Sequence, residues 1–147
     1  MSFIKNLGGS PIIDGKVIAT GEKGAEFAHE WVPARNMAFL GMVASYCDRY
    51  NIQNIYMGLN LEEGGAFPDN TYYFYKYMEK AMNVGTMARP KLHAPFINKV
   101  KHEIARSAVR LNVPIERTWS CYHNYEQHCG DCGPCFMRKT EIGRAHV

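Results

Sequence analysis

The chain has 147 residues, 46% of them hydrophobic and 21% charged, with a formal net charge of +3. That size suits about one domain with its own core, and that composition excludes an intrinsically disordered chain. The charge is too small to argue for a nucleic-acid partner, and no apolar run reaches the roughly 18 residues of a membrane-spanning helix. The opening Met1-Ser2-Phe3-Ile4-Lys5-Asn6-Leu7 lacks the long apolar stretch of a secretory leader, so the expected compartment is the cytoplasm.

Residues 1–34 are rich in glycine and polar side chains. Pro11-Ile12-Ile13-Asp14-Gly15-Lys16-Val17-Ile18 reads as an irregular, turn-bearing segment with short extended pieces. After Pro33, the residues Met37, Leu40, Val43, Ala44 and Cys47 recur at the spacing of one helix face. Cys47 on that face reads as a small core residue rather than a nucleophile. Asn51-Ile52-Gln53-Asn54 makes a turn, and Ile55-Tyr56-Met57-Gly58-Leu59 is an apolar run of buried-strand length. Helix followed by apolar strand predicts an α/β unit. Residues 61–69 then read as a polar loop beyond the strand's carboxyl end, where open α/β sheets place their ligands. Its carboxylates, Glu62, Glu63 and Asp69, suit a base edge, a metal or plain solvation, and spacing does not choose among these.

Asp69 or Asn70 is expected to cap the next helix, residues 71–84. Phe74, Tyr77, Met78, Ala81 and Met82 follow helical spacing there and read as a core stripe rather than an aromatic platform, and Gly85 ends the helix. Lys91-Leu92-His93-Ala94-Pro95 predicts a second short strand. Helical spacing resumes near Asn98, with Val100, Ile104, Ala108 and Leu111 on one face and Pro114 beyond its end. Lys99 and Lys101 fall in that helix's first turn, where cations oppose the helix dipole. A bound phosphate would reconcile them, though solvation is the simpler reading.

The strongest signal is Cys121-x7-Cys129-x2-Cys132-x2-Cys135. Four thiolates make a standard tetrahedral structural zinc site, closed to water and so without catalysis of its own. Gly130 and Gly133 permit the tight turns between ligands. Such a site contributes an apparent binding energy on the order of 10 kcal/mol to holding the last segment. Cys132-Gly133-Pro134-Cys135 is also a thioredoxin-like tetrapeptide, but the surrounding βαβ pattern is missing. An iron–sulfur cluster is the other rival, weakened because no proline follows a ligand cysteine. His123 and His128 are not needed as ligands and are expected to be exposed. Gly8-Gly9-Ser10 lacks the Gly-Lys-Ser/Thr ending of a Walker loop, and no G-x-G-x-x-G occurs.

Taken in order, several segments resemble the 7-cyano-7-deazaguanine synthase family of PP-loop ATP pyrophosphatases, which serves queuosine biosynthesis. They are Val32-Pro33-Ala34-Arg35-Asn36, Ile55-Tyr56-Met57-Gly58-Leu59-Asn60, Phe67-Pro68-Asp69, Ala94-Pro95-Phe96, Lys101-His102-Glu103-Ile104, Thr118-Trp119-Ser120-Cys121-Tyr122 and Cys129-Gly130-x-Cys132-Gly133-Pro134-Cys135-x-x-Arg138. The resemblance covers nearly all of residues 1–140. It implies a Rossmann-like parallel sheet with helices on both faces (the adenine nucleotide alpha hydrolase type), incomplete at the N-terminus, followed by a four-cysteine zinc-binding segment. It also implies ATP-dependent conversion of 7-carboxy-7-deazaguanine and ammonia to the nitrile, with magnesium accompanying ATP. By resemblance, Arg35 and Asn36 lie at the active-site cleft, Lys101 faces phosphate, Asn60 and Asp69 border the substrate, and Cys121, Cys129, Cys132 and Cys135 are the zinc ligands. No membrane or nucleic-acid partner is implied, and a homodimer is allowed.

The sequence departs from the family in two ways. The family's Ser-Gly-Gly-x-Asp-Ser phosphate loop is absent, so Met1-Ser2-Phe3 aligns with an internal segment and the chain alone is expected to be inactive. Many members read Tyr-Pro-Asp-Cys-Arg where this chain reads Phe67-Pro68-Asp69-Asn70-Thr71, which points to a subgroup and leaves open a related ligase acting on another carboxylate. A non-catalytic zinc module that binds a partner, or half of a split enzyme, are the alternatives. The expected organisation is a partial synthase domain over 1–120, a zinc-binding segment over 121–140, and a tail over 141–147. That tail, Glu141-Ile142-Gly143-Arg144-Ala145-His146-Val147, matches a translated sequencing adapter and is set aside.

Overall fold

The computed structural model describes residues 6–21, 30–123 and 126–145. The Met1-Ser2-Phe3 start and the last two residues of the adapter-like tail lie outside them. The chain forms two compact units, Ala34–Val100 and Met1–Pro33 with Lys101–Val147. The second of these contains a single helical turn, α1 (Pro11–Asp14), near its start.

The Ala34–Val100 unit runs α2 (Arg35–Tyr50), β1 (Asn54–Tyr56), α3 (Leu61–Ala66), a 3-10 turn (Pro68–Asn70), α4 (Tyr72–Gly85) and β2 (Lys91–His93). β1 and β2 pair in parallel, with Ile55 opposite Leu92. A parallel pair needs a long crossover, which α3, the turn and α4 supply. Side chains alternate between the faces of the pair. On one face Leu92, fully buried, clusters with Leu40 and Met82, and Ala44, Ile55, Met57, Phe74, Tyr75 and Met78 pack around them. The other face carries exposed Asn54, Lys91 and Tyr56, whose ring stacks on His93 at 4.5 Å. α4 also closes the outer edge of β2. Lys91 N–H and His93 C=O bond toward β1, so the polar groups of Leu92 point away. There Glu79 Oε1 accepts the Leu92 amide at 3.3 Å, and Tyr75 donates its hydroxyl to the Leu92 carbonyl at 3.1 Å.

The structure corrects several local expectations. Residues 61–66 form a helix rather than a loop, because Asn60 Oδ1 accepts the Glu63 amide at 3.1 Å and the first turn holds Glu62 and Glu63, favoured at a helix N-terminus. Thr71 caps α4, its Oγ1 accepting the Phe74 amide at 3.1 Å, while Asp69 and Asn70 are buried in the preceding turn. Gly85 is the last residue of α4, and the cap is Thr86, which bonds back to the Met82 carbonyl. Tyr77 and Ala81 face solvent because α4 is turned to bring Tyr75 and Glu79 onto β2, and Met37 and Val43 are likewise exposed on α2. The expected strand at 55–59 is confined to Asn54–Tyr56.

In the unit of Met1–Pro33 and Lys101–Val147, α5 (Lys101–Arg110) packs on α6 (Gly133–Ala145), with a 3-10 turn (Ile115–Arg117) before the cysteine segment. Pro11–Asp14 is helical where extended pieces were expected, since proline suits the first helical position and Gly15, at φ 66°, ends the turn. Lys99 precedes α5 instead of sitting in its first turn, its amide bonding to the Phe96 carbonyl at 2.8 Å. Among the described residues no helix is long and apolar enough to cross a membrane.

Candidate metal centre

Cys121 follows the 3-10 turn, Cys129 and Cys132 flank a tight bend, and Cys135 stands in the first turn of α6. Their four Sγ atoms all lie within 4.8 Å of one another. Cys121, Cys132 and Cys135 are buried and Cys129 is half-buried, so the thiols themselves form the local core, covered by Ile18. Gly130 makes the bend at φ 79°, and a Cβ there would sit 3.1 Å from Lys139 Nζ, which donates to the Gly130 carbonyl at 3.0 Å. Gly133 is not left-handed but opens α6, so only Gly130 of the two expected glycines serves a turn. Thr20 forms an antiparallel bridge with Cys132, and the Gly21 amide bonds to the Asp131 carbonyl at 2.7 Å. Arg138 fastens α6 from the other side, donating to Thr118 Oγ1 at 2.7 Å and to the Ile115 carbonyl at 2.6 Å.

The electrostatics are uneven. The amides of Cys132 and Asp131 point at Cys129 Sγ, at 3.3 and 3.5 Å, and lower its thiol to about 6. Burial pushes Cys132 up to about 12 and raises Cys135 as well. The buried thiols of Cys132 and Cys135 packed against one stabilised thiolate are a poor arrangement for their own sake. They suit a cation, which converts coordinating thiols to thiolates outright. With metal–sulfur bonds of about 2.3 Å, a tetrahedron has edges of roughly 3.8 Å. The Cys129–Cys135 sulfur separation is 3.9 Å. The donor set therefore fits one thiophilic metal ion with all four positions filled by protein.

The histidines are not exposed as expected. His123 and His128 are half-buried, and His128 stacks on Trp119 with centroids 4.3 Å apart. Cys47 is buried in the other unit, its thiol raised by burial and then by the neighbouring Asp48 charge, in keeping with a core role.

Of the remaining candidate residues, Asn36 and Asp69 meet. Asp69 Oδ2 accepts the Asn36 amide at 2.9 Å, the Asp69 carbonyl accepts Asn36 Nδ2 at 3.0 Å, and Asp69 Oδ1 accepts Asn70 Nδ2 at 3.0 Å. Asn60 caps α3, and Arg35 is the first residue of α2. Lys101 belongs to the other unit, where its Nζ lies 3.3 Å from Met137 Sδ. In the sequence, Trp119 and Arg138 stand out only as letters of the family motifs. Ile18 and Thr20 gave no signal, because their partner cysteines lie far along the chain.

A small parallel pair flanked by helices, joined to a C-terminal four-thiol cluster, defines an α/β protein with a site able to hold a metal ion. Residues 1–145 match the family of queuosine biosynthesis protein QueC, and the chain belongs to that family. It is 43% identical over 141 residues to the 7-cyano-7-deazaguanine synthase of Sulfolobus acidocaldarius, an alignment covering 95% of this chain and 30% of that protein. The synthase 2 of Sulfurisphaera tokodaii is 44% identical over 90% of this chain and 28% of its own length. The synthase of Methanocaldococcus jannaschii is 34% identical over 100% of this chain and 70% of its own. The chain thus spans under a third of the length of the first two relatives.

Proposed function

We propose that this chain is the metal-bearing C-terminal part of an ATP-dependent 7-cyano-7-deazaguanine synthase. The observation that carries the reading is the coincidence of the buried four-thiol cluster with the Thr118-Trp119-Ser120-Cys121-Tyr122 and Cys129-to-Arg138 motifs, in a chain that matches the family over residues 1–145. In this reading Cys121, Cys129, Cys132 and Cys135 hold one zinc ion that braces the fold. Residues 1–120 are part of a Rossmann-like PP-loop body, 121–140 are its zinc-binding segment, and 141–147 are the adapter-like tail, into which α6 continues as far as Ala145.

The reaction has three stages. ATP, with magnesium, activates the carboxylate of 7-carboxy-7-deazaguanine as an adenylate. Pyrophosphate leaves in that step, and ammonia then displaces AMP, losing a proton, to give the amide. A second ATP adenylates the amide oxygen with release of pyrophosphate, and departure of that oxygen as AMP with loss of the two amide protons leaves the nitrile. Chemistry of this kind depends on positioning and on stabilising phosphate charge. Arg35, Asn36 and Lys101 are assigned to the reacting groups and phosphates, and Asn60 and Asp69 to the substrate side. The pair of hydrogen bonds that Asn36 donates to Asp69 supports placing those two in one site.

The test is to join this chain to the preceding phosphate-loop segment of the Methanocaldococcus jannaschii relative and assay nitrile formation. ATP-dependent conversion of 7-carboxy-7-deazaguanine is expected, reduced at least tenfold or so by Lys101→Ala. A folded, metal-loaded chimera that forms no nitrile, beside an active parent relative, would contradict it.

A further inference from the structure

Cys121 and Cys129 are separated by the longest stretch of chain within the cluster, and ordering a longer loop costs more conformational freedom. Two side chains span the mouth of that loop. Trp119 lies against the His128 imidazole with ring centroids 4.3 Å apart and planes at 29°. Its indole N–H donates to the Cys121 carbonyl at 2.7 Å, which fixes the ring's orientation. His128 Nε2 accepts the Ser120 amide at 3.2 Å, so the neutral ring carries its proton on Nδ1. The next amide, that of Cys129, reaches Cys121 Sγ at 3.4 Å. Residues 119–121 are thereby tied to 128–129 by one ring stack and two hydrogen bonds. Trp119 remains 53% exposed, so burial alone does not explain its place.

We infer that Trp119 and His128 form a clasp that holds the loop closed and so positions Cys121 and Cys129 for the metal. This rests on the four-cysteine metal reading. Neither residue is a ligand. Their effect is pre-organisation, in which the ion meets two sulfurs already brought together instead of ordering the loop on arrival. Partners of this kind around a metal site commonly set its affinity.

The test measures zinc affinity of the full chain by competition with a chromogenic chelator, for the wild type and for Trp119→Ala, Trp119→Phe, His128→Ala and His128→Gln. Affinity is expected to fall about 10- to 100-fold in the two alanine variants. Trp119→Phe keeps the stack and loses only the indole donor, so its loss is smaller. His128→Gln offers an amide oxygen to the Ser120 N–H and recovers part of the affinity. Alanine variants that bind zinc within about twofold of the wild type overturn the clasp and leave the metal site standing. So do variants, His128→Gln included, whose metal-free circular dichroism shows lost structure, because that marks a general structural role. A wild-type chain that takes up no zinc removes the metal reading itself, and the clasp with it.

Discussion

Beside its proposed place on the substrate side, the Asp69 carboxylate caps a helix inside the fold. α2 starts from Ala34, which is left-handed at φ 51° and has no side-chain acceptor, so the N–H groups of the first turn need a cap from elsewhere. Asp69 supplies it across 33 residues through Asn36, and its charge suits the helix N-terminus. Asp69→Ala leaves the Asn36 amide without its acceptor and is expected to destabilise the chain by about 1–3 kcal/mol, read from urea unfolding, with Asp69→Asn costing less. An unchanged midpoint in Asp69→Ala contradicts the capping role.

The thiols make a second prediction at this scale. With its thiol at about 6, Cys129 is largely thiolate at neutral pH, whereas Cys132, near 12, and Cys135, also raised, keep their protons. A metal that recruits all four sulfurs must expel those protons, so uptake at pH 7 releases at least the two from Cys132 and Cys135. Affinity then falls as pH drops, because protons compete for the same sulfurs. Calorimetric titrations in buffers of different ionisation enthalpy measure the release, and binding without it contradicts coordination by these two residues.

Among the elements, β2 is hydrogen-bonded along both edges, to β1 on one side and to α4 side chains on the other. Leu92 is fully buried between α2 and α4 side chains, and its backbone is held by Tyr75 and Glu79. Leu92→Ala is expected to cost about 2–5 kcal/mol in urea unfolding, and a loss below about 1 kcal/mol would show that the cluster relaxes to fill the gap. The same elements show what the sequence made legible. α2, α4 and α5 were visible because Leu40, Ala44 and Cys47, then Phe74, Met78 and Met82, and finally Ile104 and Ala108, keep helical spacing. α3 was hidden by Gly64 and Gly65, which read as loop. Gly64 is needed there for tertiary reasons, since a Cβ would approach the Asn70 carbonyl oxygen at 3.2 Å. The Thr71 cap was missed because Asp69 and Asn70 are equally good caps by residue type, and only their burial in the 3-10 turn removes them.

At the scale of the whole molecule, the four cysteines were legible because their spacing alone brings sulfurs together. Their supports were not. Ile18 packs on the cysteine cluster and Thr20 pairs with Cys132, each from more than a hundred residues away, and no local pattern announces such contacts. The sheet tells a related story. Parallel strands are usually covered on both faces, yet Tyr56 on β1 is 70% exposed. The relatives are longer than this chain, which accords with the proposal that it is part of a larger synthase.

The cysteine cluster carries the functional assignment. The measurement that tests it is the metal content of the purified chain by elemental analysis, taken beside its visible absorption. One zinc per chain without colour, lost when Cys132 is replaced by serine, is the predicted result. Iron with sulfide and a brown colour, or a folded chain that retains no metal, would contradict it.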